Sequence, residues 1–142
     1  MQAIDSKVIE FINEHHVLTL ATSRNNEPYC ANCFYVYLED ENVFVFTSDL
    51  ETKHIQDVEL QNKVAASIVL ETTMVGKIQG IQLTGILFMP ENELKQKISK
   101  AYLKKYPFAV LMKTTLWVLE PDFLKFTDNR LGFGKKLIWK KE

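Results

Sequence analysis

The sequence has no apolar run approaching the roughly 18 residues of a membrane-spanning helix, which removes the α-helical integral membrane classes. It has no surplus of one charge either. A formal net charge of −1 offers nucleic acid or an anionic membrane no global attraction. No G-x-G-x-x-G or Walker motif is present, so neither glycine-loop route to a nucleotide applies. Internal repeats, low-complexity stretches and Gly/Ser/Pro-rich linkers are also missing. The 142 residues therefore read as one domain spanning 1–142. Asp5 and Glu10 sit in the amphipathic N-terminal pattern, unlike a signal peptide, and the cytoplasm is the expected compartment.

Cysteine and histidine are scarce. The two cysteines, Cys30 and Cys33, form C-A-N-C inside the strand-like run Y-C-A-N-C-F-Y-V-Y-L. A redox C-x-x-C opens a helix, whereas strand positions three apart face opposite sides, so the thiols are expected to point apart. His15 and His16 are adjacent and His54 is remote, so no metal-ligand spacing emerges and no metal is expected.

What is present is the composition of a globular protein, 46% hydrophobic and 25% charged. Ile4, Val8, Phe11 and Ile12 predict an amphipathic opening helix. Residues 17–22, 29–38 and 43–47 read as a meander of antiparallel strands, joined by R-N-N-E-P and a charged turn at 39–42. After a helix come a strand over 64–70 and a long extended stretch over 77–89. Gly80 and Gly85 there suggest bulges or a close backbone approach. Pro90 begins a helix with Leu94, Ile98, Ala101 and Tyr102 on one face, ending before Pro107. Strands follow at 116–119, 123–127 and 136–139. Six or more mostly sequential strands against two or three helices predict an α+β fold, an antiparallel β-barrel with flanking helices.

The chemistry concentrates where the third strand meets its helix, V-F-V-F-T-S-D-L-E-T-K-H. Ser48 and Glu51 fit a capping box, with Ser48 opening the helix. Thr47, Ser48, Lys53 and His54 then crowd a helix N-terminus, which suits a phosphate. An ordinary strand-to-helix turn with a solvated lysine accounts for the same residues. At the other end of the chain, Gly132 and Gly134 before Lys135 and Lys136 fit an amide nest for an anion or a tight turn needing positive φ.

The order of these segments resembles the FMN-binding split barrel of the pyridoxamine 5′-phosphate oxidase-like superfamily. The correspondence runs through T-L-A-T, Y-C-A-N-C-F-Y-V-Y, V-F-V-F-T-S, the lysine at the helix start, N-K-V-A and I-Q-G-I-Q-L-T-G. The closing F-T-D-N-R-L-G-F-G-K-K-L-I-W is similar to a small bacterial subfamily. The resemblance implies a homodimer with FMN in two grooves at the subunit interface. It lays Cys30, Ala31 and Asn32 along the isoalloxazine, and Thr47 and Ser48 on ribityl or phosphate oxygens. It puts Lys53, with His54 beside it, on the phosphate. Gln79 and Gln82 fall on the strand that approaches the ring, and their opposite parity lets at most one face a given groove. Asn129, Lys135 and Lys136 fall beside the flavin in the closing segment.

The sequence departs from a true oxidase. No arginine leads the second strand, because Arg24 precedes the turn, and Thr52-Lys53 replaces an Arg/Lys pair. The chain also lacks the C-terminal residues that hold the vitamin's phosphate, so vitamin B6 oxidation is not implied. The expected function is a small FMN-dependent oxidoreductase of unknown substrate with no identifiable acid or base. The alternative is a non-catalytic binder or sensor of FMN, haem or another planar ligand, and a third reading is a ligand-free dimeric scaffold.

Overall fold

A computed structural model describes residues 2–111 and 114–142. Helix α1 spans Ser6–Glu14, with Asp5 accepting from the Lys7 amide at 2.8 Å. The side-chain oxygen satisfies one of the helix's orphan N–H groups. Strands β1 (Val17–Arg24) and β2 (Glu27–Leu38) follow, joined by Asn25 and Asn26, both at positive φ. Asparagine tolerates that region, and a two-residue turn of this kind matches strand twist. Then come β3 (Val43–Ser48), α2 (Lys53–Leu60), β4 (Lys63–Val69), β5 (Gln79–Phe88), α3 (Asn92–Lys105), β6 (Thr115–Asp128) and β7 (Lys136–Lys140).

The antiparallel order is β3-β2-β1-β4-β5-β6-β7, and β3 also pairs with β6. That last pairing closes a six-stranded ring, with β7 added to the far end of β6. The ring is split. Residues 27–34 of β2 pair with β1, whereas β3 joins β2 only from Tyr35 onward. Among the described residues, this stretch of β2 has no strand on its second edge.

Alternation along the strands sends Leu18, Leu20, Cys33, Phe44, Phe46, Ile81 and Leu83 inward, where Phe11 and Ile12 of α1 and Ile55 and Val58 of α2 meet them. The other faces of β2 and β3 contribute Val36, Leu38, Val43 and Val45 to a second cluster under Ile98 and Tyr102 of α3. Two rows of opposite parity are buried because two layers cover the same strands.

Three elements differ from expectation. The region read as two strands, 116–119 and 123–127, is the single strand β6, which carries Pro121 at a register shift opposite Gly85. A Cβ at Gly85 would lie 2.2 Å from the Glu120 carbonyl oxygen, so only glycine permits the approach. Helix α3 starts two residues after Pro90, at Asn92. Helix α2 starts at Lys53, not at Ser48. Thr52 holds the cap position, and no capping box forms because residues 49–52 make a turn of their own.

Candidate functional site

Ser48 ends β3 with its side chain turned inward, and the turn at 49–52 swings α2 back over it. His54 therefore lands on Ser48, with Nε2 2.8 Å from Oγ, and 3.4 Å from the Thr52 hydroxyl. The Cys33 thiol hydrogen-bonds Ser48 from behind, and burial pushes it up to about 11, so it stays protonated and unreactive. Desolvation holds the half-buried His54 below the ordinary imidazole value, a shift that nearby Asp57 opposes.

One residue from His54, Lys53 Nζ sits 3.0 and 3.1 Å from the two Asp57 carboxylate oxygens and 4.7 Å from the centroid of the Tyr29 ring. Asp57 is buried and also accepts from Thr22 Oγ1 at 3.0 Å. Burial alone would raise its carboxyl, but the bonds from Lys53 and Thr22 outweigh that and hold it below the usual range. Lys53 is thus a bound counterion as well as a helix-start cation. Asp57 escaped the sequence reading, although the i,i+4 spacing from Lys53 signals the pair. Arg24 precedes the turn in sequence. The hairpin puts it opposite Glu27, and its charge reaches Asp57.

The expected site residues fall into separate groups. Register sets Asn32, Thr19, Ser67 and Gln82 in one row, and Cys30, Ala21, Ala65 and Thr84 in the next. Both rows lie on the outer face of the sheet. Thr19, Ala21, Ala65, Ser67, Gln82 and Thr84 line a shallow groove there of ≈ 320 Å³. Cys30 and Asn32 are exposed, and Asn32 Oδ1 accepts from Thr19 Oγ1 at 2.9 Å. Ala31 has the opposite parity and pairs with the inward Leu20. Of the two glutamines, Gln82 faces the groove, whereas Gln79 is buried and accepts from Arg130 Nη2 at 2.9 Å.

Thr47 does not join Ser48. Its hydroxyl lies 3.3 Å from the Tyr102 hydroxyl on the α3 side, because neighbouring strand residues face opposite ways. Asn129 has its side chain engaged at both ends, donating to the Val75 carbonyl at 2.8 Å and accepting from the Gly134 amide at 3.0 Å. It builds the turn that presents Lys135 and Lys136, both exposed. Gly132 and Gly134 supply the positive φ values, 137° and 69°, that this turn requires.

That turn leaves from Asp128, paired with Gln79, whereas Ser48 pairs with Thr115 at the other end of β6. At about 3.3 Å per residue the strand runs roughly 40 Å between them. Within one copy, Lys135 and Lys136 are remote from Lys53 and His54. Among the described residues, no group of three His, Cys, Asp or Glu side chains is placed to hold a metal ion, and no helix is long and apolar enough to cross a membrane.

No protein-family model matches the chain. A UPF0306 protein of Photorhabdus laumondii is 38% identical over 132 residues, covering 92% of each chain. A heme binding protein from Mycobacterium smegmatis superposes with a TM-score of 0.79 at 17% identity, over 98% of this chain and 60% of that one. A pyridoxamine 5′-phosphate oxidase-related, FMN binding protein from Nostoc punctiforme gives 0.72 at 14% identity, over 100% of this chain and 92% of that one. These superpositions establish the fold as the split barrel of the pyridoxamine 5′-phosphate oxidase-like proteins.

Proposed function

The chain belongs to the UPF0306 family, and from that premise we propose that it is an FMN-binding flavoprotein, a small cytoplasmic oxidoreductase working as a homodimer. The observation that carries this reading is the Ser48–His54 hydrogen bond at the start of α2, with the Lys53 ammonium of the same helical turn held on Asp57. Two hydrogen-bonding groups and a cation at a helix start fit a phosphate monoester. Beside them, the unpaired edge of β2 offers backbone donors and acceptors at Cys30–Asn32, the residues expected along the ring. The small side chains of the outer groove leave room for a flat ligand.

Bound FMN supplies hydride or electron transfer, and the protein supplies position and electrostatics. Lys53 neutralises phosphate charge while sharing its ammonium with Asp57. Ser48 and His54 fix the phosphate's orientation. The turn bearing Lys135 and Lys136 reaches a given site only from the second copy, since one copy separates it from α2. The expected contacts of Thr47 and Gln79 are not part of this proposal, because their polar atoms are engaged elsewhere.

A second reading is a planar-ligand binder without turnover, with haem as the ligand. It is favoured by the engagement of Lys53 with Asp57, which reduces the charge open to a phosphate, and by the fold shared with the Mycobacterium smegmatis protein. Absorbance titration of the purified protein with FMN and with haem separates the two. A flavin spectrum bleached by reduced nicotinamide supports the oxidoreductase, and a Soret band without FMN binding supports the second reading.

A further inference from the structure

Two exposed apolar side chains lie at opposite ends of the molecule, each among charges of one sign. At the turn between β6 and β7, Phe133 is 81% exposed and is followed by the exposed Lys135 and Lys136. Asn129 and the Lys135 amide's bond to the Gly132 carbonyl hold this turn in one shape, so the aromatic ring is displayed by rigid backbone. Between β3 and α2, Leu50 is 49% exposed and flanked by the exposed Asp49 and Glu51. That turn is also fixed, by Thr52 donating from its amide and its hydroxyl to the Asp49 carbonyl.

Among the described residues, the ion pairs involve Lys53, Lys97, Arg130 and Lys141 with their acids, and none uses Asp49, Glu51, Lys135 or Lys136. Four charges, two of each sign, are therefore uncompensated beside two exposed apolar groups. One copy cannot join the patches, because β6 keeps them apart.

We propose that a second copy of this chain joins them. Phe133 of each copy packs on Leu50 of the other, and Lys135 and Lys136 face Asp49 and Glu51. A two-fold axis makes the contact twice and leaves neither patch free, whereas an unclosed head-to-tail contact would polymerise. Complementary charge sets the register, and the buried aromatic anchors it. The contact rests on the dimeric reading of the site, and it sets the Phe133 turn next to Lys53 and His54 of the other copy.

The test is sedimentation velocity without FMN on two charge-reversed chains, K135E/K136E and D49K/E51K. All four side chains are exposed, and far-ultraviolet circular dichroism checks the fold. Each variant alone should lose self-association by at least about tenfold, because like charges now face each other. An equimolar mixture should restore the dimer, since both contacts of the mixed pair regain opposite charge. Phe133→Ser, which alters no charge, should also weaken association. Either charge variant associating as tightly as the parent, or a mixture that does not recover, overturns the contact. FMN titration of the parent is read separately. A parent that binds FMN yet ignores charge reversal retires this contact alone, and a monomeric parent that binds no FMN retires the dimeric site with it.

Discussion

His54 Nε2 lies 2.8 Å from Ser48 Oγ, across the turn at 49–52 that carries β3 into α2. Burial disfavours the imidazolium, so the unfolded chain takes up a proton here more readily than the folded one. This part of the stability is complete above the ordinary imidazole value of about 6.5 and declines as pH falls toward the lowered folded value. A phosphate bound at His54 favours the charged ring, so FMN affinity should rise as pH falls from 8 to about 6.5, above the phosphate's own second pKa of about 6. Isothermal titration of the parent and of His54→Gln checks this. The parent's affinity should climb and the variant's should stay flat.

Thr47 and Ser48 are neighbours with different tasks. Ser48→Ala removes a proposed phosphate contact and should weaken FMN binding by roughly tenfold, in the range for a hydrogen bond to a charged group. Thr47→Val, which loses only the contact with Tyr102, should leave FMN affinity unchanged. Equal losses from the two would show that both hydroxyls reach the ligand.

Lys53 and Asp57 should behave as a unit. Lys53→Ala leaves a buried carboxylate with Thr22 as its remaining partner, so the single variant should melt below the parent. The double variant K53A/D57N should recover much of that loss, because no buried charge is stranded. With Asp57 held below the ordinary carboxyl range, the pair's contribution is present above about pH 4 and is lost as the pH falls through the lowered folded value. Thermal melts from pH 7 to pH 3 should show a steeper acid loss in the parent than in the double variant.

Gly85→Ala should be among the most damaging small substitutions in the barrel. The added methyl meets the Glu120 carbonyl oxygen and the backbone of Pro121, neither of which can rotate away. A cost of about 3 kcal/mol is expected from overpacking of this kind, measured by urea denaturation. Gly76→Ala, where a Cβ meets nothing within 4 Å, is the control and should change stability by less than about 0.5 kcal/mol.

Much of the fold was legible because its signals are local. The Asn25-Asn26 turn, the apolar face of α1 and the conspicuous Gly85 each carry their geometry in their own side chains. The continuity of β6 was not legible, since Glu120-Pro121-Asp122 has turn chemistry and only β5 across from it shows that the strand runs on. The helix start was misread because Ser48 and Glu51 have capping-box spacing, while the turn at 49–52 depends on how β3 meets α2. Thr47, Ser48, Lys53 and His54 stand out in the sequence as polar groups at a helix start, and Cys30, Ala31, Asn32, Gln79, Gln82 and Asn129 follow from a resemblance, but the facing of all of them was beyond reach. Gln79 and Gln82, or Thr47 and Ser48, differ by parity alone, and parity acquires an inside only when the ring closes through β3 and β6.

The central claim is that a phosphate-bearing flavin sits at the first turn of α2. The most direct measurement is a paired titration of FMN and riboflavin against the parent and against K53A/D57N, followed by flavin fluorescence. Loss of a charge-assisted phosphate contact worth roughly 1.5–3 kcal/mol should weaken FMN about ten- to hundredfold in the double variant. Riboflavin, which has no phosphate, should bind both proteins alike and more weakly than FMN binds the parent. Equal affinity of the parent for FMN and riboflavin would contradict the account.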